Sequence, residues 1–541
     1  MLSINFQVLA GSLLGSLWLI RLVISRVRRR SINHLAGPPP GSWLVGNTAA
    51  LISPKEIGDA DFFWIKEYGT TLHVKHTFGE DSLWTADPKA IQYIFNTSGY
   101  NYLKPNRIGV EMLLGRGLVW AEGSQHARQR KIMNPAFSFT ALRGFLPLFR
   151  QTAQRAVNKL KDDKFAGAEN KVINIMPWLS LITLDAIGET AFGYQFDAVQ
   201  KGNESKLAAA YENLMTDAFS NRSDISVAIE QIFERIPVWL VHLILRLPIG
   251  RFKRLCDYLR VAREVAQDIV DKQTALYMDG KEGSKDVMSI LVRANLSQDP
   301  KSKLSAEEII PQMTTLFLAG HDTTALTSTW AIHQLSRHPE FQQRIRDEIK
   351  ATRAAARDRG DTELTVADLD SMKCLLAVMK ETLRFHPIVP LLVREAARDD
   401  IIPLSIPQKT KTGEIITSVP ISKGQHIELS LLAYNRLPEV WGPDADQWRP
   451  ERFLEGTLAP ETSLGVFANL ATFSSGVRGC IGWRFAVLEM QAILIEMLEN
   501  FEFSPPPGDV EIILGPAGFM TPMIKGAKEP KGELPVTMTA L

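Results

Sequence analysis

The sequence predicts a mainly α-helical protein with a small β-rich region, preceded by one N-terminal transmembrane helix. Three observations predict it. An apolar run covers Ile4–Ile24 and is followed at once by basic residues. A helical pattern opens at Ser305 and can run to Arg337; about 33 residues at 1.5 Å rise reach roughly 50 Å, enough to cross a whole domain. A glycine-rich loop with one cysteine, Phe473–Gly482, runs into a second apolar helical pattern, Trp483–Phe501.

Composition narrows the class. A chain of 541 residues holds one large domain or several small ones. With 45% hydrophobic and 22% charged residues it is an ordinary globular chain. A net charge of +1 gives no sign of a nucleic-acid partner. The three cysteines, Cys256, Cys374 and Cys480, are odd in number and widely spaced. That excludes a disulfide framework or a zinc site and points to a reducing compartment.

The elements follow in order. Residues 1–25 are read as a membrane anchor, since Ile4–Ile24 has the length of one span. Arg21 lies near its end and can snorkel. Arg26, Arg28, Arg29 and Arg30 follow the run instead of preceding it. That order favours an uncleaved anchor over a signal peptide, and it puts the C-terminal side in the cytoplasm. Residues 26–41 are a basic and Pro-rich hinge, in which Pro38, Pro39 and Pro40 stiffen the spacer. Residues 42–541 form the globular body.

Leu72–Asn96 carries short β-like runs and then helix-like ones. Ile108–Trp120 reads as an apolar loop. Glu122–Phe137 is a basic helical stretch in which His126 and Arg130 can each donate to a carboxylate. Leu142–Tyr277 reads as successive amphipathic helices. Ile232–Leu247 within it is either a buried helix or a segment that dips into a membrane. The Asn-x-Ser/Thr matches at Asn96, Asn203, Asn221 and Asn295 stay unmodified if this side is cytoplasmic.

Ser305-Ala306-Glu307-Glu308 is a capping box opening the long helix. In its middle stands Ala319-Gly320-His321-Asp322-Thr323-Thr324, whose glycine and threonines are poor helix formers and predict a local kink. Glu381 and Arg384 sit at i, i+3 on one helix face, and Pro387 ends that helix. Trp448–Phe453, containing Arg452, lies between them and the cysteine loop. From Arg394 to Leu432, β-branched residues alternate with turn residues and predict short strands. In the loop, Cys480 lies close to a helix N-terminus, which favours a thiolate. The glycines allow tight turns and close approach of a flat group, and Arg478 can pair with that group's acid.

Phe473, Gly476, Arg478, Cys480 and Gly482 spell F-x-x-G-x-R-x-C-x-G. This loop resembles the signature of the cytochrome P-450 family of heme-thiolate monooxygenases, in its membrane-anchored eukaryotic and fungal type. The order of the other motifs extends the resemblance over nearly the full length.

The resemblance implies the cytochrome P-450 fold and a heme b whose iron takes an axial thiolate from Cys480. His126, Arg130, Arg394, Phe473, Arg478 and Gly482 would bind the cofactor. His126 departs from the tryptophan that is usual at its position. Thr323 would hold dioxygen by hydrogen bonding, Asp322 would relay protons, and Ala319 and Gly320 would leave room. Glu381, Arg384 and Arg452 would lock together as structural support. Val110, Leu113, Phe317, Ala319, Ile388, Leu391 and Phe519 would line the substrate pocket, with Met112, Leu114 and Leu392 nearby.

The implied reaction inserts one oxygen atom from dioxygen into a lipophilic small molecule, by hydroxylation or epoxidation. The electrons would come from NADPH through a separate reductase, facing Arg128, Lys131 and Arg484. The implied location is the endoplasmic reticulum membrane, single-pass, with the catalytic domain toward the cytoplasm and in contact with lipid. Two rivals stand beside this: a peroxide isomerase or dehydratase of the same fold, and a non-catalytic heme-binding sensor. The Asp322–Thr323 pair argues against the first, and a substrate chamber against the second.

Overall fold

The computed structural model describes residues 30–541 except 106, 166–168, 213, 221, 234–249, 280–286, 300–302, 457–463 and 509. The expected anchor, residues 26–29 of the hinge and residues 234–247 of the expected membrane-dipping segment lie outside the described residues. Among the described residues no helix is long and apolar enough to cross a membrane.

The helices that position the site are α1 (Arg107–Leu114), α2 (Gly123–Met133), α3 (Phe139–Lys164), α4 (Met176–Phe192), α5 (Lys206–Tyr211), α6 (Gly250–Met278), α7 (Ala306–Arg337), α8 (Pro339–Asp358), α9 (Lys373–Phe385) and α10 (Trp483–Asn500). The strands are β1 (Thr71–Lys75), β2 (Asp81–Thr85), β3 (Tyr102–Leu103), β4 (Asn170–Asn174), β5 (Leu391–Ala396), β6 (Asp400–Lys409), β7 (Ile415–Ile421), β8 (His426–Ser430), β9 (Phe501–Ser504), β10 (Ile512–Ala517), β11 (Phe519–Ile524) and β12 (Pro535–Ala540). The largest sheet has the order β1-β2-β8-β5-β3. Only β2–β8 is parallel. The expected apolar loop at Ile108–Trp120 begins as α1.

The long helix α7 forms where its capping box predicts, with Ser305 N–H donating to Glu308 at 3.0 Å. It runs unbroken through Gly320–Thr324, so the expected kink is absent. The reason is local. Thr323 and Thr324 donate to the carbonyls of Ala319 and Gly320 without displacing the helical ladder. Gly320 also has a packing role: an added Cβ would lie 2.9 Å from Ile187 Cδ1 of α4. Gly320 thus lets two helices close on each other.

α10 packs against α3 through aromatic edges, with Phe485 and Phe149 rings 4.8 Å apart. Between α10 and α7 lies Glu489, fully buried. Burial holds its carboxyl well above the usual range, and the Thr324 hydroxyl only partly offsets this. Glu489 is therefore a neutral acid in the folded chain.

Glu381, Arg384 and Arg452 do come together. Arg384 is fully enclosed and makes a two-pronged pair with Glu381 at 2.8 and 2.7 Å. It also donates to the carbonyls of Asn435, Ala445 and Gln447 at 2.7, 2.7 and 2.8 Å. Arg452 Nε lies 3.6 Å from Glu381 and its terminal nitrogens hold Asp444. One carboxylate and two guanidiniums thus pin the segments 435–452 beneath α9.

Two outcomes follow from these buried groups. Glu381→Ala strands two cations in the interior and should lower stability by about 3–5 kcal/mol, read from thermal melting. Glu489→Gln should be neutral at pH 4. Because the folded pKa is raised, the wild type loses stability as pH rises above the ordinary 4.5, so the variant should gain on it by up to about 1.4 kcal/mol per pH unit. Melting curves between pH 4 and pH 8 check the slope.

Candidate active site

The cysteine loop is shaped by the chain around it. Gly476 has φ +65°, and an added Cβ would sit 2.0 Å from the Phe95 carbonyl. The close approach that this glycine allows is therefore to the protein's own backbone. Gly482 is different: its φ is −92°, and an added Cβ would first meet Phe137 at 3.8 Å. Cys480 N–H donates to the Phe473 carbonyl at 2.8 Å and closes the loop. The Phe473 ring packs edge-to-face on Phe467 at 6.1 Å.

Cys480 leads directly into α10. Its side chain has open surface, yet it lies deep enough that burial pushes its thiol above the ordinary value. The Gly482 N–H and the Arg130 charge pull the other way and do not win. Coordination to a metal ion displaces such a proton. Cys374 is buried with its thiol pushed up to about 11, and Cys256 is half-buried. Among the three, Cys480 alone is exposed.

Basic side chains gather beside it. Arg130 donates to the Gly479 carbonyl at 2.6 Å, and burial lowers its pKa while Cys480 raises it. Arg478 pairs with Glu122, donates to Gly99 O at 2.9 Å and lies 4.8 Å over the Tyr100 ring. Its Nε is buried and makes no hydrogen bond within the described residues. Arg394 is almost fully buried, and burial with Arg478 repulsion brings it down to about 10. His126 is buried and meets the Tyr100 hydroxyl at 2.7 Å. Burial and the charges of Lys104, Arg130 and Arg478 bring it down to about 4, so its imidazole is neutral here.

On α7, Ala319 is exposed after a buried stretch from Gln312 to Leu318, and Gly320 beside it is half-buried. Thr323 is half-buried and Asp322 is partly open. Phe317, expected to line the pocket, does not share that surface. It is fully enclosed, with Phe192 and Phe196 rings 4.8 and 5.8 Å away. Val110 and Leu113 of α1 are partly buried against the core. Ile388 and Phe519 fall in one apolar cluster, tied by Met520 N–H donating to Ile388 O at 2.9 Å. Leu391 is half-buried at the start of β5.

Arg128 is committed elsewhere. It pairs with Glu308 and donates to the Lys303 carbonyl, bolting α2 to the start of α7, and so is not a free docking charge. Lys131 and Arg484 are exposed. Sequence reasoning missed His321 and Glu489, both fully buried and ionisable. The only sequence signal for either was an ionisable residue in an otherwise apolar helix stripe.

These residues fit a heme: a soft sulfur donor with open surface, a surplus of buried cations for its two carboxylates, and a spare buried donor on Arg478. They define a protein that holds an anionic prosthetic group by a thiolate at a helix start. The chain belongs to the cytochrome P450 family, whose profile matches residues 36–527. It is 30% identical over 541 residues to cytochrome P450 monooxygenase 205 of Postia placenta, covering 97% of this chain and 96% of that one. It is 32% identical over 503 residues to cytochrome P450 monooxygenase claP of Ampulloclitocybe clavipes, covering 91% of each. Ganoderic acid synthetase CYP5150L8 of Ganoderma lucidum is 32% identical over 509 residues, with 90% of this chain and 91% of that one covered. The protein is therefore a heme-dependent monooxygenase of a fungal type, with Cys480 as the cysteine that supplies the axial thiolate. Its class takes a small-molecule substrate, dioxygen and a redox partner.

The glycines of the loop should separate in experiment. Gly476→Ala forces a side chain onto the Phe95 carbonyl at positive φ, which costs about 1–2 kcal/mol for the backbone alone. Its melting temperature and heme retention should both fall. Gly482→Ala should leave the melting of the heme-free chain within about 0.5 kcal/mol of wild type.

Proposed function

We propose that the chain is a membrane-anchored monooxygenase of lipophilic molecules, reduced by a separate NADPH-dependent reductase. The observation that carries the reading is the open surface of Cys480 before α10 and of Ala319 on α7. Bound at Cys480, the heme supplies dioxygen binding and activation. The chain's own groups then divide the remaining work. Arg130, Arg394 and Arg478, with His126, hold the carboxylates of the group. Asp322 and Thr323 present a carboxyl group and a hydroxyl at the open turn of α7.

Val110 and Leu113 on α1, Leu391 on β5 and Phe519 at the start of β11 supply apolar surface from separate elements, with the buried Ile388 packed in the cluster of Phe519. That supports a lipophilic substrate, since apolar walls with few polar groups select apolar ligands. Phe317 drops out of this set because its ring is spent on core packing.

Residues 1–25 and 26–41 support an anchor and spacer that keep 42–541 at a membrane, with the endoplasmic reticulum and a cytoplasmic orientation as the matching location. Lys131 and Arg484, both exposed, are the cations that suit an acidic reductase surface.

Two experiments test the reading. The carbon monoxide difference spectrum of the dithionite-reduced protein should show a strongly red-shifted Soret band in wild type and lose it in Cys480→Ser. A band indifferent to Cys480 would sink the assignment. Phe519→Ala should keep its heme content and change product distribution, read by mass spectrometry of turnover mixtures with a panel of lipophilic substrates.

A further inference from the structure

His321 lies one residue before Asp322, and it is fully buried. Its Nδ1 sits 2.8 Å from the Phe317 carbonyl. A carbonyl only accepts, so Nδ1 must carry a hydrogen. Its Nε2 lies 2.9 Å from Asp322 Oδ1. With Nδ1 already protonated, that contact holds one shared proton: either an imidazolium faces a carboxylate, or a neutral ring faces a carboxylic acid.

Geometry and surroundings choose between them. Nε2 makes no well-aligned hydrogen bond, as expected for side chains of adjacent helical residues. A bent contact weakens an O–H···N bond far more than a Coulomb attraction, which has no direction. The Tyr211 ring of α5 stands edge-on at 4.3 Å from the imidazole. Tyr211 in turn bonds the Tyr258 hydroxyl of α6 at 2.9 Å. Burial keeps both phenols neutral. On the α4 side the neighbour of this turn is Ile187, packed at Gly320. Among the described residues, Asp322, Tyr211 and Tyr258 are thus the ionisable groups facing His321. Burial disfavours the ring's charge, but the Asp322 charge and the Phe317 carbonyl outweigh it and leave the pKa raised.

We propose that His321 is a positioning residue, an imidazolium clamped between the Phe317 carbonyl and the Asp322 carboxylate that fixes Asp322 and supplies the proton that Asp322 hands on. Asp322 is the partly open member, with 20% of its side chain accessible, while His321 has none. The proton moves from Nε2 to Asp322, and Asp322 hands it on toward the open side; the carboxylate is regenerated and the ring becomes the neutral Nδ1–H tautomer. The Phe317 carbonyl holds that tautomer in place until Nε2 is protonated again. No electrons move and no bond other than N–H and O–H changes. The inference rests on the monooxygenase reading of the site only for its consequence in turnover; the ion pair itself stands on the geometry.

The test is made on the full chain with its heme. Nitrogen-15 histidine NMR should show the His321 ring with both nitrogens protonated at pH 7, a signal absent from His321→Asn. In Asp322→Asn the ring should become neutral at the same pH. A neutral ring in wild type, or one indifferent to Asp322→Asn, overturns the ion pair. In turnover with the reductase, His321→Asn should keep its heme and its carbon monoxide spectrum. Its hydrogen peroxide released per NADPH should rise about tenfold, part of the roughly hundredfold that a placed proton donor contributes. An unchanged peroxide yield beside an intact NMR signature would show a structural pair only and overturn the positioning role. Loss of the carbon monoxide band in wild type would instead strike the monooxygenase reading and leave the NMR result standing.

Discussion

Beside Cys480, four basic side chains and Lys104 surround one carboxylate, Glu122, in a buried setting. Arg130, Arg394 and His126 all have their pKa values lowered, with burial as the first cause and neighbouring cations adding to it at His126 and Arg394. Such a cluster is costly by itself, since charges removed from water must be paired. The folded chain is therefore electrostatically incomplete at this point, and a ligand with two carboxylates completes it. Cys480 repeats the theme: burial pushes its thiol above the ordinary value, and coordination displaces the proton. Cofactor binding and the stability of this region are one equilibrium.

The supports of the site are built to hold that incompleteness in place. Glu381, Arg384 and Arg452 spend their charges on each other and on backbone carbonyls, with no contact to the open surface. Arg128 spends its charge joining α2 to the first turn of α7. The result is a division of cations by place: Arg384, Arg452 and Arg128 join segments of the frame, while Arg130, Arg394 and Arg478 stand beside Cys480. Arg478 shows both sides in one residue, since its terminal nitrogens are satisfied while its Nε is not.

The motifs that depend on spacing were legible in the sequence. Glu381 and Arg384 meet because i and i+3 share a helix face, and the capping box at Ser305 fixes the start of α7. What the sequence could not show is direction. Phe317 and Ala319 are two residues apart on one helix, yet only Ala319 is open, because Phe192 and Phe196 arrive from distant chain positions to enclose Phe317. Gly476 and Gly482 look alike in a motif, but only one is crossed by the Phe95 carbonyl. The anchor at 1–25 rests on the apolar run alone.

The two sides of the site handle charge in opposite ways. Around Cys480 the chain leaves an excess of cations, which a ligand must neutralise. On α7 it balances charge within two adjacent residues, His321 and Asp322, and encloses the pair with neutral phenols. A free carboxylate at Asp322 would be drawn to whatever cation it could reach. Pairing it with an imidazolium that is itself tethered to Phe317 O removes that freedom. The same tether keeps the ring in place when its charge changes, so the proton can move without the side chains moving. Placement of one buried histidine thus sets both the position and the protonation of the acid beside it, and the backbone of an unbroken helix is what makes that placement possible.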